Sequence, residues 1–171
     1  YDWLIFNWQN GGALFDDAFT KSRFNEQPGV EALQFYIDLV NKLKVVPLAP
    51  PPSGFDNGLI AMTIGSTSRL STNIGLLKDN LGVAPLPMQK KQATGVGGAN
   101  LAILSNTKNK QAAWEFVKWM NSADVNLQWS MSTGYLPLRK SVVAAAKYQD
   151  YLVKEPRAKV ILDQMPFAIV R

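Results

Sequence analysis

Apolar residues recur at helical spacing after Pro28. Val30, Leu33, Ile37 and Val40 stand three or four apart, Leu43 extends the stripe, and Glu31, Asp38, Asn41 and Lys42 fall between them. This period marks a helix with one buried face, and proline is tolerated in a first turn because its missing N–H would have no helical acceptor. The pattern predicts a helix over about 28–43. Residues 1–9 are apolar and aromatic and read as the end of a helix, stopped by Asn10-Gly11-Gly12. Ala13-Leu14-Phe15 reads as a short extended piece closed by Asp16-Asp17, and Phe24-Asn25 as another short strand or turn. Pro47 and Pro50-Pro51-Pro52 mark 44–54 as a linker, since proline joins neither a helix interior nor a central strand.

Beyond the linker the pattern alternates. A buried strand is expected at 59–64 and a helix from Leu70 to Leu77. Gly82 to Pro87 reads as a short strand, Lys90 to Thr94 as a polar loop, and 95–99 as the entry to a strand at 100–104. Asn106 to Asn121 is expected to be helical, with Ala113, Phe116, Val117 and Met120 on one face. Ser122-Ala123-Asp124 caps a second helix carrying Val125 and Trp129, which Thr133-Gly134-Tyr135-Leu136-Pro137 breaks. Helices follow over about 139–153 and 156–164. Alternating strands and helices without a repeat predict a layered, helix-rich α/β domain.

The 171 residues suffice for one good-sized domain, and with 47% apolar and 18% charged residues a real core is expected. Both ends fall inside apolar runs, so 1–171 reads as a single lobe cut from a longer protein at both ends. No apolar run is long enough for a membrane helix, and the opening Tyr1-Asp2-Trp3-Leu4 is core-like and not a leader. The chain has no Cys and no His. That removes thiol catalysis, His-based triads and zinc or iron–sulfur sites, and no metal or cofactor is expected. The net charge is +5, yet Lys and Arg are scattered. The densest groups, Lys90-Lys91 and Lys108–Lys110, fall in expected surface turns. Without a stripe of basic and aromatic residues a nucleic-acid partner is not expected.

One segment carries binding chemistry on its own. Gly65-Ser66-Thr67-Ser68 leaves an expected strand and enters an expected helix. Hydroxyls of Ser66 and Ser68 and unpaired helix N-terminal N–H groups converge there, which suits a polar ligand. Turn chemistry or helix capping is the competing role for the same hydroxyls. No glycine-rich nucleotide loop is present.

Four segments, in order, resemble the family 1 extracellular solute-binding proteins of ABC importers, and within it the sugar and glycerol-3-phosphate receptors. They are Trp8-Gln9-Asn10-Gly11-Gly12-Ala13-Leu14-Phe15-Asp16; Gly58 to Thr63 with Gly65-Ser66; Val96-Gly97-Gly98-Ala99-Asn100-Leu101-Ala102; and Ala112 to Trp119 running on to Thr133-Gly134-Tyr135-Leu136-Pro137. The resemblance implies one lobe of a two-lobe, type II periplasmic-binding fold with a short mixed sheet. It implies a monomeric receptor, periplasmic or lipid-anchored and peripheral to the membrane. Such a receptor closes on a sugar, oligosaccharide or glycerol phosphate and docks on the permease subunits.

Within that resemblance Trp8 and Tyr135 are the candidate aromatic platforms for apolar C–H faces, with core packing as the alternative. Gly97 and Gly98 would let a ligand approach bare backbone N–H groups, or else satisfy a backbone shape needing positive φ. Arg171 follows Pro166-Phe167 at about the distance at which the glycerol-3-phosphate receptors carry a phosphate-binding Arg. Two other functions stay open. A glycosidase needs two opposed carboxylates, for which Asp16-Asp17 is the only close pair. A protein-interaction domain would use the five Trp and the basic surface.

Overall fold

The computed structural model describes residues 2–170. Two compact units emerge from its contacts, and they are interleaved along the chain. Unit 1 is built from Tyr1–Ile64, Pro85–Val96 and Gln164–Arg171, and unit 2 from Gly65–Ala84 and Gly97–Asp163.

Unit 1 holds helix α1 (Asp2–Gln9) packed on helix α2 (Gln27–Asn41). Glu26 sits at the α2 N-cap with extended backbone, and Pro28 occupies the first turn as expected. Three amides on and just after α1 join the two helices to their surroundings. Gln9 Nε2 donates to the Ala93 carbonyl at 3.1 Å, while the Gln9 carbonyl accepts from Lys90 N and Lys91 N. Asn10 Nδ2 donates to the Pro28 carbonyl at 3.0 Å and to Glu31 Oε2 at 2.7 Å. Asn7 Nδ2 reaches the Ala13 carbonyl, and the Trp3 indole N–H donates to the Gly29 carbonyl at 3.0 Å. Asn7, Gln9 and Asn10 are all buried, so this core is partly polar and depends on those bonds. Glycine is required at position 12: a Cβ there would stand 1.9 Å from Asn7 Oδ1.

The sheet of unit 1 has two parallel strands, β1 (Thr94–Val96) and β2 (Ala168–Val170), with Thr94 opposite Ala168 and Gly95 opposite Ile169. Phe15 and Ser22 form a single antiparallel bridge, so the extended piece expected at 13–15 exists. Between them Asp16 braces the loop. Its Oδ1 accepts from Thr20 N and Lys21 N, and its Oδ2 accepts from the Thr20 hydroxyl.

Unit 2 is helical. A 3-10 turn (Thr67–Arg69) leads into α3 (Leu70–Leu77), followed by α4 (Lys110–Met120), α5 (Ala123–Thr133), α6 (Lys140–Val143), α7 (Ala146–Lys154) and α8 (Pro156–Asp163). α5 packs on α3, α4, α6 and α7, and α7 packs on α8. Core residues include Leu70, Val142, Tyr148, Leu152 and Ala158. Arg157 ties the start of α8 to the residue after α3: its Nη1 donates to the Lys78 carbonyl at 2.8 Å while its Nη2 donates to Glu155 Oε2 at 2.7 Å.

The helix-rich α/β class is as expected, but several elements differ. The strands expected at 59–64, 82–87 and 100–104 are irregular chain. A strand exists only where a second one pairs with it. At 59–60 the backbone N–H groups instead close a turn on the Gly54 carbonyl. Leu86 N donates to the Gln164 side chain, and Pro85 and Pro87 have no N–H to give. At the third segment Thr107 N turns back on the Leu104 carbonyl. The strand that does form, β1, lies earlier, because 168–170 pairs with 94–96. The helix expected over 139–153 is broken at Ala144 and Ala145 into α6 and α7. Ser122 occupies the α5 N-cap position but makes no side-chain cap bond. The apolar stripe of α2 is largely uncovered, with Val30, Leu33 and Ile37 exposed, whereas on α4 Phe116 is exposed and Ala113, Val117 and Met120 are half-buried. A stripe states that a face needs covering and leaves open what covers it.

Candidate functional site

The Ser66–Ser68 turn and the loop after α5 meet within unit 2. Ser66 has extended backbone, and its Oγ accepts from Ser68 N at 3.3 Å and lies 3.0 Å from Ser68 Oγ. The Ser66 hydroxyl therefore caps the 3-10 turn and shares a hydrogen bond with the Ser68 hydroxyl, so the capping role weighed from the sequence is present for Ser66. Each keeps lone-pair capacity for another partner. Ser66 is exposed and Ser68 half-buried.

The α5 loop approaches the same turn without a side chain between. Gly134 ends α5 in the left-handed region (φ 85°), and its N–H closes on the Ser130 carbonyl at 3.0 Å. A Cβ there would stand 2.9 Å from the Thr67 carbonyl oxygen and 2.7 Å from Leu70 Cβ. The next residue is Tyr135, 37% exposed. Its ring lies 6.3 Å from that of Trp129, centroid to centroid, with the planes 50° apart. Thr133 Oγ1 donates to the Trp129 carbonyl at 2.7 Å and accepts from Tyr135 N at 3.2 Å. The serine turn thus abuts the backbone that carries a partly exposed pair of aromatic rings. That combination suits a molecule with both hydroxyl groups and C–H faces.

The backbone segments that carry Ser66, Ser68 and Tyr135 are thereby in contact. Gly97 and Gly98 also belong to unit 2 and are exposed. Gly98 has open space where a Cβ would point and lies outside the positive-φ region, so its backbone does not itself demand glycine. Trp8 belongs to unit 1 and is only 5% exposed. Its ring is buried, in line with the core-packing alternative for it, as α1 packs on α2 with its flanking residues Asn7 and Gln9 buried as well. Arg171 lies outside the described residues. Sequence reasoning placed Trp129 on this helix without a binding role, and it did not single out Thr133. The spacing that links them, residue i to i+4 at the end of a helix just before Gly-Tyr, was the available signal.

Asp16 spends both carboxylate oxygens on its own loop, and the Thr20 hydroxyl bond, followed by the Lys21 and Thr20 N–H bonds, holds its carboxyl below the usual range. The described residues contain no cluster of acidic side chains able to hold a metal ion, and no helix among them is long and apolar enough to cross a membrane.

Comparison with known proteins sets this geometry in context. The family model described as bacterial extracellular solute-binding protein matches residues 1–155. The sn-glycerol-3-phosphate-binding periplasmic protein UgpB of Pectobacterium atrosepticum is 26% identical over 161 residues, covering 88% of this chain and 36% of its own. The maltotriose-binding protein of Pyrococcus abyssi is 27% identical over 146 residues, 78% of this chain and 31% of that one. Among solved structures, UgpB from Mycobacterium tuberculosis in complex with glycerophosphocholine superposes with a TM-score of 0.88 at 30% identity, covering 100% of this chain and 44% of that one. The GacH receptor of Streptomyces glaucescens, solved unliganded and with acarbose, superposes at 0.87 with 28% identity, over 99% of this chain and 45% of its own. The chain therefore spans less than half the length of each of these relatives.

Proposed function

The chain belongs to the bacterial extracellular solute-binding proteins, and from that premise we propose that it forms one lobe of a receptor for a small polyol: a sugar, an oligosaccharide or a glycerol phosphate or its diester. The receptor closes over the solute, excludes water, and hands it to the permease of an ABC importer. It makes no bond and breaks none. It acts outside the cytoplasmic membrane as a periplasmic or lipid-anchored monomer.

The observation that supports this reading is the seating of Gly134 on the Thr67 carbonyl, which joins the turn carrying Tyr135 to the turn carrying the Ser66 and Ser68 hydroxyls. In the receptor Ser66 and Ser68 pair with solute hydroxyl or phosphate oxygens, Tyr135 covers a C–H face, and Gly97 and Gly98 offer bare backbone. Arg171 is assigned to a phosphate group when the solute carries one. The ligands named for the relatives, glycerol-3-phosphate, glycerophosphocholine, maltotriose and acarbose, are all hydroxyl-bearing, and this supports the class. The engagement of both Asp16 oxygens within its own loop favours binding over hydrolysis.

The test is calorimetric titration of the intact protein with glycerophosphocholine, glycerol-3-phosphate and maltotriose. We expect one of them to bind, and Ser66→Ala and Tyr135→Ala each to weaken it by about tenfold, as for loss of one hydrogen bond or one stacked ring. A phosphate ester that binds equally well after Arg171→Ala removes the anion assignment. If neither Ser66→Ala nor Tyr135→Ala alters binding of any solute in a wide panel, the site is misplaced.

A further inference from the structure

We propose that Thr133 and Gly134 are positioning residues of the solute site: they fix where the Tyr135 ring stands relative to the Ser66–Ser68 hydroxyls, without touching solute themselves. The proposal rests on the polyol-site reading above.

An ordinary helix end needs only the glycine. Gly134 supplies the left-handed turn, and its N–H already closes on the Ser130 carbonyl. Two further features exceed that need. The first is the close approach to the Thr67 carbonyl and Leu70 Cβ, which leaves no room for a methyl group. Thr67 is flanked by the two candidate serines, so the backbone preceding Tyr135 rests directly on the backbone that carries their hydroxyls. Any side chain at position 134 would push the ring and the hydroxyls apart. The second is the Thr133 hydroxyl, which bridges the glycine. It donates backward to the Trp129 carbonyl and accepts forward from the Tyr135 N–H. With both bonds made, the loop is tied to the last turn of α5 on either side of its most flexible residue. The contact between the Trp129 and Tyr135 rings completes the brace. Ligand affinity gains from such preorganisation because the ring need not be ordered on binding.

Four variants of the intact protein test this, titrated with glycerophosphocholine and maltotriose well below each variant's melting temperature. Thr133→Val keeps the shape and removes the hydroxyl. It is expected to weaken the solute that binds by about tenfold, the equivalent of one net hydrogen bond. Thr133→Ser restores the hydroxyl and is expected to bind within about twofold of wild type, a rescue that loss of bulk stability would not reproduce. Gly134→Ala is expected to lose at least as much affinity as Thr133→Val, and if it fails to fold, the threonine pair decides alone. Tyr135→Ala separates the two ideas. If it weakens binding while a folded Thr133→Val binds as wild type does, the positioning role is wrong and the site stands. If Tyr135→Ala is itself neutral, site and positioning fall together.

Discussion

Raising the pH should unfold this protein partly through one phenol. Tyr148 lies on α7, 2% exposed, with the Tyr151 ring 5.8 Å away. A neutral phenol tolerates that burial, whereas a phenolate would forfeit its hydration. Burial, and after it the nearby Tyr151, pushes the Tyr148 hydroxyl up from 10.0 to about 12. A group whose folded pKa is raised contributes stability that is complete below the unfolded value and lost as pH rises through the folded one. The window is therefore pH 10 to about 12. Two pKa units correspond to about 2.7 kcal/mol in all, of which about half, about 1.4 kcal/mol, is gone by pH 11. Thermal or urea unfolding of the intact protein at pH 9 and 11, for wild type and Tyr148→Phe, isolates the effect. Lysine deprotonation is common to both proteins and cancels. The Phe variant keeps the buried ring and should lose about 1.4 kcal/mol less than wild type over that interval. Identical losses, or a Tyr148 absorbance change at 295 nm centred at the ordinary tyrosine value, would refute the reasoning.

Three further outcomes follow from the packing. Gly12→Ala places a methyl group against the buried Asn7 Oδ1 and 3.0 Å from Pro28 Cβ, so denaturant titration should show about 1–3 kcal/mol of destabilisation. Gln9→Ala removes a buried donor from the Ala93 carbonyl; leaving that acceptor unpaired should cost about 1–3 kcal/mol in the same assay. The Arg157 guanidinium beside Glu155 holds its carboxyl below the usual glutamate range, so the pair's contribution is complete above the unfolded glutamate value and disappears as pH falls through the folded one. Stability profiles of wild type and Glu155→Gln should therefore converge toward acid, and parallel profiles from neutral pH to acid would show that the pair contributes nothing.

What the sequence disclosed depends on how local the cause is. α1, α2, α3 and α5 were legible because their signals are short-range: Pro28 in a first turn, Asn10-Gly11-Gly12 after α1, Gly134 after α5. The segments 59–64, 82–87 and 100–104 carry strand-like patterns, yet a strand depends on a neighbour, and pattern alone does not supply one. The same dependence hid β2, three residues whose partner β1 lies more than 70 positions earlier. The Ser66–Ser68 turn was legible as polar chemistry. Its meeting with Tyr135 was not, since that rests on the Cβ-free contact between Gly134 and Thr67. The buried amides of Asn7, Gln9 and Asn10 were also invisible, because an asparagine beside two glycines reads as a surface turn until its bonding partners are known.

The interleaving of the two units has a genetic consequence. The chain changes unit after Ile64, Ala84, Val96 and Asp163. No single breakpoint in the coding sequence therefore separates the two units, and a crossover between related genes inside codons 65–163 would give both units mixed parentage. Selection on such chimaeras acts on both units at once. Lineages should thus inherit this stretch as a block, and shuffling that retunes the solute site should proceed by point substitution in the 65–68 and 133–135 turns more readily than by exchange of modules.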